Sequence, residues 1–238
     1  MFNPGFVLAI ALALVHGFAP KLSLLFHIPR FRWTSFAGGV SLTYVFLKIF
    51  PDLSYTQEKV AYLGVPLIPH LKNQVYILAL LGLVIFHRLD LWAYKSKIST
   101  TVQRTSAIFW VHLGAFGILN AITGYLLQDL SQYSLVACIL FFIPLGLYFF
   151  IIDDNLREHQ QRLYDRRGRW FLVSAIVFGT VIGQFTSLNE TIIAIVWSFL
   201  AGTIILNVLK RELPDEKQSC FWSFVFGTIF YTGLLLCI

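Results

Sequence analysis

Apolar residues in this chain fall into eight long runs separated by short polar links, with no sustained alternation of the kind that marks strands. The runs are Phe6–Phe18, Trp33–Phe50, Gln74–Tyr94, Ser106–Leu127, Tyr133–Ile152, Trp170–Leu188, Thr191–Leu209 and Cys220–Ile238. Most approach the roughly 20 residues that a helix needs to cross a bilayer. The fourth and fifth, joined by the short link Gln128–Ser131, sit mid-chain with three runs on either side. Within them lie His112, Asn120, Thr123 and a mid-run proline, Pro144. The first run resembles a signal peptide only in being apolar. Lys21, Arg30 and Arg32 follow it and nothing basic precedes it, the reverse of signal-peptide order, so it reads as a true first span.

Composition sharpens this into a class. Hydrophobic residues make up 57% of the 238 and charged residues 13%, against about 25% charged in soluble domains. Mean hydropathy is +0.72. The expectation is an all-α polytopic membrane protein, one transmembrane domain over residues 1–238, with membrane lipid as its surroundings. The net charge of +6 does not imply nucleic acid, because the basic residues segregate. Lys21, Arg30, Arg32, Arg88, Lys95, Lys97, Arg104, Arg157, Arg162, Arg166, Arg167, Arg169, Lys210, Arg211 and Lys217 flank the odd-numbered loops; only Lys48, Lys59 and Lys72 lie opposite. Positive charge gathers on cytoplasmic loops, so both termini are expected outside the cytoplasm, with an even number of spans. Cys138, Cys220 and Cys237 include no C-x-x-C and imply neither a disulfide framework nor a thiolate metal site. The loop beginning at Asp153 pairs Asp153 with Arg157 and Glu158 with Arg162 at helical spacing and reads as a solvated extension of the fifth span. A metal site from Asp154, Glu158 and His159 is the other reading of that loop, though the spacing does not select it.

The second and seventh runs echo one another. SFAGGVSLTYVFLKIFPD from Ser35 and SFLAGTIILNVLKRELPD from Ser198 match without a gap at Ser35/Ser198, Phe36/Phe199, Gly39/Gly202, Val45/Val208, Pro51/Pro214 and Asp52/Asp215. The charge distribution runs these two spans in opposite directions. Similar segments of opposed direction mark inverted repeats, a recurrent plan in secondary transporters. The expected bundle is three spans, a central pair, then three more. Helix start and stop signals could produce part of the same likeness.

These segments resemble those of the ZIP-family divalent-metal transporters. FAGGVSLTYVFLKIFPDL is similar to their second span, FLAGTIILNVLKRELPDE to their seventh, IPLGL at Ile143 to part of their fifth, and GTVIG at Gly179 to the paired glycines of their sixth. The resemblance covers nearly the whole chain, through the order and spacing of its motifs more than through any one of them. It implies the eight-helix ZIP fold with both termini outside. The departures fall on the family's transport site, H-N-x-x-D-G in the fourth span and H-x-x-P-E-G in the fifth. Read against those motifs, the fourth-span histidine is Leu119, the asparagine is kept as Asn120, the aspartate is Thr123 and Gly124 remains. In the fifth span the histidine is Phe141 and the glutamate Leu145, with Pro144 and Gly146 kept; the second-span histidine is Lys48. Zn²⁺ wants imidazole, thiolate or carboxylate donors, usually four. An amide and a hydroxyl among Phe141 and Leu145 cannot replace them, so no inherited metal site and no cofactor is expected.

What polar chemistry remains lies along the fourth span. At about 100° per residue, His112 and Thr123 differ by about 20° and Asn120 lies about 60° further round, while Gly114, Gly117, Ala121 and Gly124 form a separate small-residue seam. The polar stripe suits either a conduit or a hydrogen-bond cluster between helices. Gln184 in the sixth span could join it or bond a neighbouring helix, and Pro144 frees a carbonyl and is expected to kink the fifth span. His16 could meet another polar group across the bundle, and Ser187-x-x-Glu190 reads as a capping box. No nucleophile–base set or phosphate loop points to an enzyme. Three functions remain: a permease for an unidentified small solute or ion, lined by His112, Asn120, Thr123 and Gln184; a non-transporting membrane scaffold, for which a homodimer is one assembly; or a metal transporter with relocated ligands such as His16, His112 and Glu190.

Overall fold

The computed structural model describes residues 3–25, 30–62, 73–97, 102–212 and 220–237. Among these the chain is helical throughout, with no strand. The helices are α1 (Pro4–Leu25), α2 (Arg30–Tyr44), α3 (Phe50–Tyr62), α4 (Gln74–Lys97), α5 (Val102–Leu130), α6 (Leu135–Leu163), α7 (Arg169–Phe185), α8 (Glu190–Asn207) and α9 (Phe221–Leu236). Short π-helical turns link α2 to α3 (Val45–Ile49), link α6 to α7 (Tyr164–Gly168) and extend α8 (Val208–Glu212). Gln160, at φ −150° and ψ 65°, interrupts α6. Six helical stretches are long and apolar enough to cross a membrane: Phe31–Tyr62, Gln74–Trp92, Ala107–Leu130, Leu135–Arg157, Gln160–Phe185 and Glu190–Lys210. Pro4–Ala19 and Phe221–Leu236 are shorter apolar helices. At 1.5 Å per residue the 16 residues of α9 extend about 24 Å, somewhat less than a hydrocarbon core of about 30 Å.

The apolar runs thus mark the helices, while the boundaries differ for local reasons. The second span continues through Pro51 to Tyr62, because a proline in the first turn of α3 needs no N–H partner. α5 continues to Leu130, so the link after it is the turn Ser131–Tyr133, and Ser134 then caps α6 by accepting from the Ala137 N–H at 3.2 Å. The start of α8 is capped by Asn189, whose side chain accepts from the Ile192 N–H at 2.8 Å. Glu190 instead pairs with Lys59 at 3.0 Å, an exposed contact in place of the expected capping box. Lys48, in the first π-turn, pairs with Asp52 at 2.9 Å.

The chain divides into two compact units, Met1–Pro29 with Arg88–Ser187, and Arg30–His87 with Leu188–Ile238. In the first, α1 packs on α5, α6 and α7, and α5 lies close along α7. That closeness requires glycine: a Cβ on Gly179 would lie 1.9 Å from the Ala121 carbonyl oxygen, and one on Gly124 would lie 2.3 Å from that of Ile176.

The second unit contains a doubled contact. Cβ atoms on Gly39 and Gly227 would strike the carbonyls of Phe224 and Phe36, at 2.2 Å each. Cβ atoms on Gly202 and Gly82 would strike those of Ala79 and Phe199, at 1.8 and 2.3 Å. Gly39/Gly202 and Phe36/Phe199 are paired positions of the sequence echo, and Gly82/Gly227 and Ala79/Phe224 share one offset of their own. The crossing of α2 with α9 is therefore repeated by that of α8 with α4. The same ungapped pairing superposes the π-turns, Val45–Ile49 on Val208–Glu212. Ser35 and Ser198 each donate back one turn, to Phe31 and Ala194 carbonyls.

Candidate functional site: a buried histidine–carboxylate cluster

The first unit buries more polar chemistry than its apolar runs suggest. His16, on α1, is fully buried between α5 and α6. Its Nε2 lies 2.9 Å from Asn120 Oδ1 and its Nδ1 lies 2.7 Å from Asp153 Oδ1. The Asn120 Nδ2 donates to the Phe116 carbonyl at 2.8 Å, one helical turn earlier. The Tyr164 hydroxyl, from the second π-turn, donates to the same Asp153 Oδ1. Phe149 covers the His16 ring, with centroids 4.7 Å apart. Beside the cluster the Arg169 Nη1 donates to the Gly17 carbonyl at 3.1 Å.

This network fixes its own proton count. The Phe116 carbonyl can only accept, so it holds the Asn120 amide with its NH₂ toward Phe116 and its oxygen toward His16. His16 Nε2 must then carry a proton. One further proton lies between Nδ1 and Asp153 Oδ1, and wherever it sits along that bond the pair is neutral overall. Neutrality is the cheaper state in a low-dielectric interior, since an uncompensated charge there is expensive. The donors are distributed unevenly, however. Asp153 Oδ1 receives both His16 and Tyr164, while the buried Asp153 Oδ2 has no hydrogen-bond partner among the described residues.

A second histidine–carboxylate pair lies two turns back along α5, about 12 Å by helical rise. His112 Nε2 is 3.0 Å from Asp90 Oδ1, both side chains buried, and the Phe116 ring packs on His112 at 5.0 Å. The polar stripe of α5 is thus real as a face, but it divides into two bonded centres. The third stripe residue, Thr123, is buried, and its hydroxyl finds no partner among the described residues. Asn120 is buried, 1% exposed. Gln184 is exposed near the end of α7 and is not brought to either centre. Pro144 is buried inside α6, where the dihedrals stay helical; the break in that helix falls at Gln160. A shallow apolar groove between α5 and α7 is lined by Gly114, Gly117, Ala121, Phe171 and Phe178, the small-residue seam and not the polar stripe.

Asp153 is the correction that matters most. By spacing it belongs with Arg157 on a solvated extension, yet it faces the core and Arg157 instead grips Asp165 through Nε and Nη2, at 2.8 and 3.2 Å. The Glu158 and His159 side chains lie outside the described residues. Asp90 was legible only as a polar residue near the end of the third run and Tyr164 only as part of the link after the fifth; nothing in their spacing ties them to His112 or Asp153. Leu119, Phe141 and Leu145, where the resemblance implies metal ligands, are buried and apolar. Among the described residues, no group of three or more His, Cys, Asp or Glu could hold a metal ion. No family model matches the chain, and neither the curated proteins nor the solved structures include a significant match to it.

Proposed function

We propose that the chain is a multi-pass integral membrane protein of ZIP-like plan. In this reading both termini lie outside the cytoplasm and the spans form a 3+2+3 inverted repeat. Its function is that of a permease for a small solute or ion, along a pathway rebuilt after the family's dinuclear metal site was lost. The apolar helices support the membrane reading, and the repeated glycine crossings and superposed π-turns support the repeat.

The observation that carries the permease is the buried His16–Asp153–Asn120–Tyr164 cluster. Ion pairs in a dry interior are a poor way to gain stability, because well-packed apolar residues do as well or better. Within a membrane such groups are costly and mark ion or proton pathways by default. A bundle that served only to hold a partner would have no use for two of them. The scaffold reading has one observation in its favour: His112, Asn120 and Thr123 are all buried, as expected of internal cross-links. Relocated metal ligands receive no such support, since His16, His112 and Glu190 are each engaged separately, with Asp153, Asp90 and Lys59.

Flux into liposomes holding the purified protein tests the permease, with monovalent and divalent cations, anions and small neutral solutes in turn. Saturable uptake of at least one, reduced by Asp153→Asn, is the expected result. Uptake of every solute at the rate of protein-free liposomes would move the scaffold ahead.

A further inference from the structure

The uneven bonding of Asp153 asks for a ligand. One carboxylate oxygen takes two donors while the other, equally buried, takes none. Buried polar atoms without partners are few in folded proteins, and a vacant acceptor in an otherwise bonded network is a place where something arrives. The vacancy is on an anion-forming group beside a histidine, in a pair that already shares one proton. The species that fits without moving any helix is a second proton.

We propose that the His16–Asp153 pair is a proton-binding site, reached from the end of the bundle marked by Arg157 and Asp165. This deepens the permease reading of the same site: the proton is the transported or the coupled ion. In the unloaded state the pair is neutral, with one proton between Nδ1 and Oδ1. Uptake forms one O–H bond at Asp153 Oδ2, leaves His16 as imidazolium, and raises the charge of the cluster by one. Where the shared proton rests on Oδ1 it shifts to Nδ1 as the new O–H bond forms, and no co-reactant is needed.

The surroundings suit a single proton-exchanging pair. From α5 the cluster meets Asn120, neutral and committed to His16 and Phe116. From α6 it meets Asp153 itself, with Asp154 next in sequence and Arg157 one turn on, engaged with Asp165. The π-turn brings Tyr164, and α7 brings Arg169, bonded to the Gly17 carbonyl beside His16. Arg157 and Asp165 are partly exposed, while Tyr164, next to Asp165 in sequence, is fully buried with its hydroxyl on Asp153.

Two measurements on the full-length protein test this and keep it separate from the permease reading. The first is an infrared difference titration in lipid nanodiscs, which needs no transport. A carboxylic-acid band that appears on acidification, shifts in D₂O and is absent in Asp153→Asn is the expected result. Tyr164→Phe, which retains the ring and its packing, should displace the midpoint of that band without abolishing it. The second is acidification of liposomes driven by a potassium diffusion potential, which Asp153→Asn should reduce to the protein-free rate. Absence of any titrating band in the wild type overturns the proton site, even if solute flux is found. A band that survives Asp153→Asn and is lost in Asp90→Asn overturns it as well, by assigning the proton to the His112 pair. If the band behaves as expected but no flux of any kind occurs, the proton site stands and the permease reading falls.

Discussion

His16 sits where three helices converge, and its two ring nitrogens serve two of them. Replacing it alone leaves Asp153 buried with only the Tyr164 hydroxyl, and breaking a buried pair in this way costs about 3–5 kcal/mol. His16→Leu should therefore unfold in detergent at markedly lower denaturant concentration than the wild type. The double variant His16→Leu/Asp153→Leu removes both charges and should recover most of that loss. Equal instability of the two would mean that packing, not charge, dominates the site. Thr123 offers the opposite case. Its hydroxyl is buried without a partner, so Thr123→Val should stay within about 1 kcal/mol of the wild type or be slightly more stable. If that variant keeps its stability and loses flux, Thr123 touches the solute.

Helices in a membrane cannot rely on the hydrophobic effect to bring them together, so close packing at small residues takes its place. The seam on α5 shows how selective this is. At Gly179, on the facing helix, an added methyl would lie 1.9 Å from the Ala121 carbonyl, a backbone atom that cannot move without its helix. Gly179→Ala should cost about 1–3 kcal/mol or more. At Gly114, on the same seam, the sequence pattern would suggest the same, yet an added methyl meets nothing within 4 Å. Gly114→Ala should be neutral or gain up to about 1 kcal/mol from helix propensity. Thermal unfolding of the two variants side by side checks the pair of expectations. Gly202→Ala and Gly39→Ala, at the equivalent positions of the repeated crossing, should both destabilise, since each meets a backbone carbonyl.

The three cysteines report on the molecule as a whole. Cys138 is buried, Cys220 half-buried at the start of α9, and Cys237 exposed at its end. If α9 crosses a membrane in the sense given by the basic residues, Cys220 lies on the cytoplasmic face and Cys237 on the other. A membrane-impermeant thiol reagent added to sealed right-side-out vesicles should then label Cys237, label Cys220 only after the vesicles are opened, and leave Cys138 unmodified in the folded protein. Labelling of Cys220 and Cys237 from the same side would overturn both the orientation and the eighth span.

Local rules read from the sequence account for the helices, because a run of apolar residues with satisfied backbone bonds has one stable form in an apolar medium. Their order, the glycine positions and the echo between the second and seventh spans were legible for the same reason: each depends on neighbours in sequence. The polar face of α5 was legible as well, since His112, Asn120 and Thr123 are set by helical periodicity alone. What those residues meet was not. Asp153 satisfies its spacing with Arg157 on paper, but folding places His16 and Tyr164 against it, 137 and 11 residues away, and burial makes that neutral cluster the cheaper arrangement. The same holds for Asp90 and His112, 22 residues apart on different helices. The capping of α8 by Asn189 and not Ser187 turned on two residues of helix start. Sequence alone determined which residues form helices and which face each polar side chain occupies. Only the tertiary structure decided which carboxylate answers which histidine, because that depends on where separate helices cross.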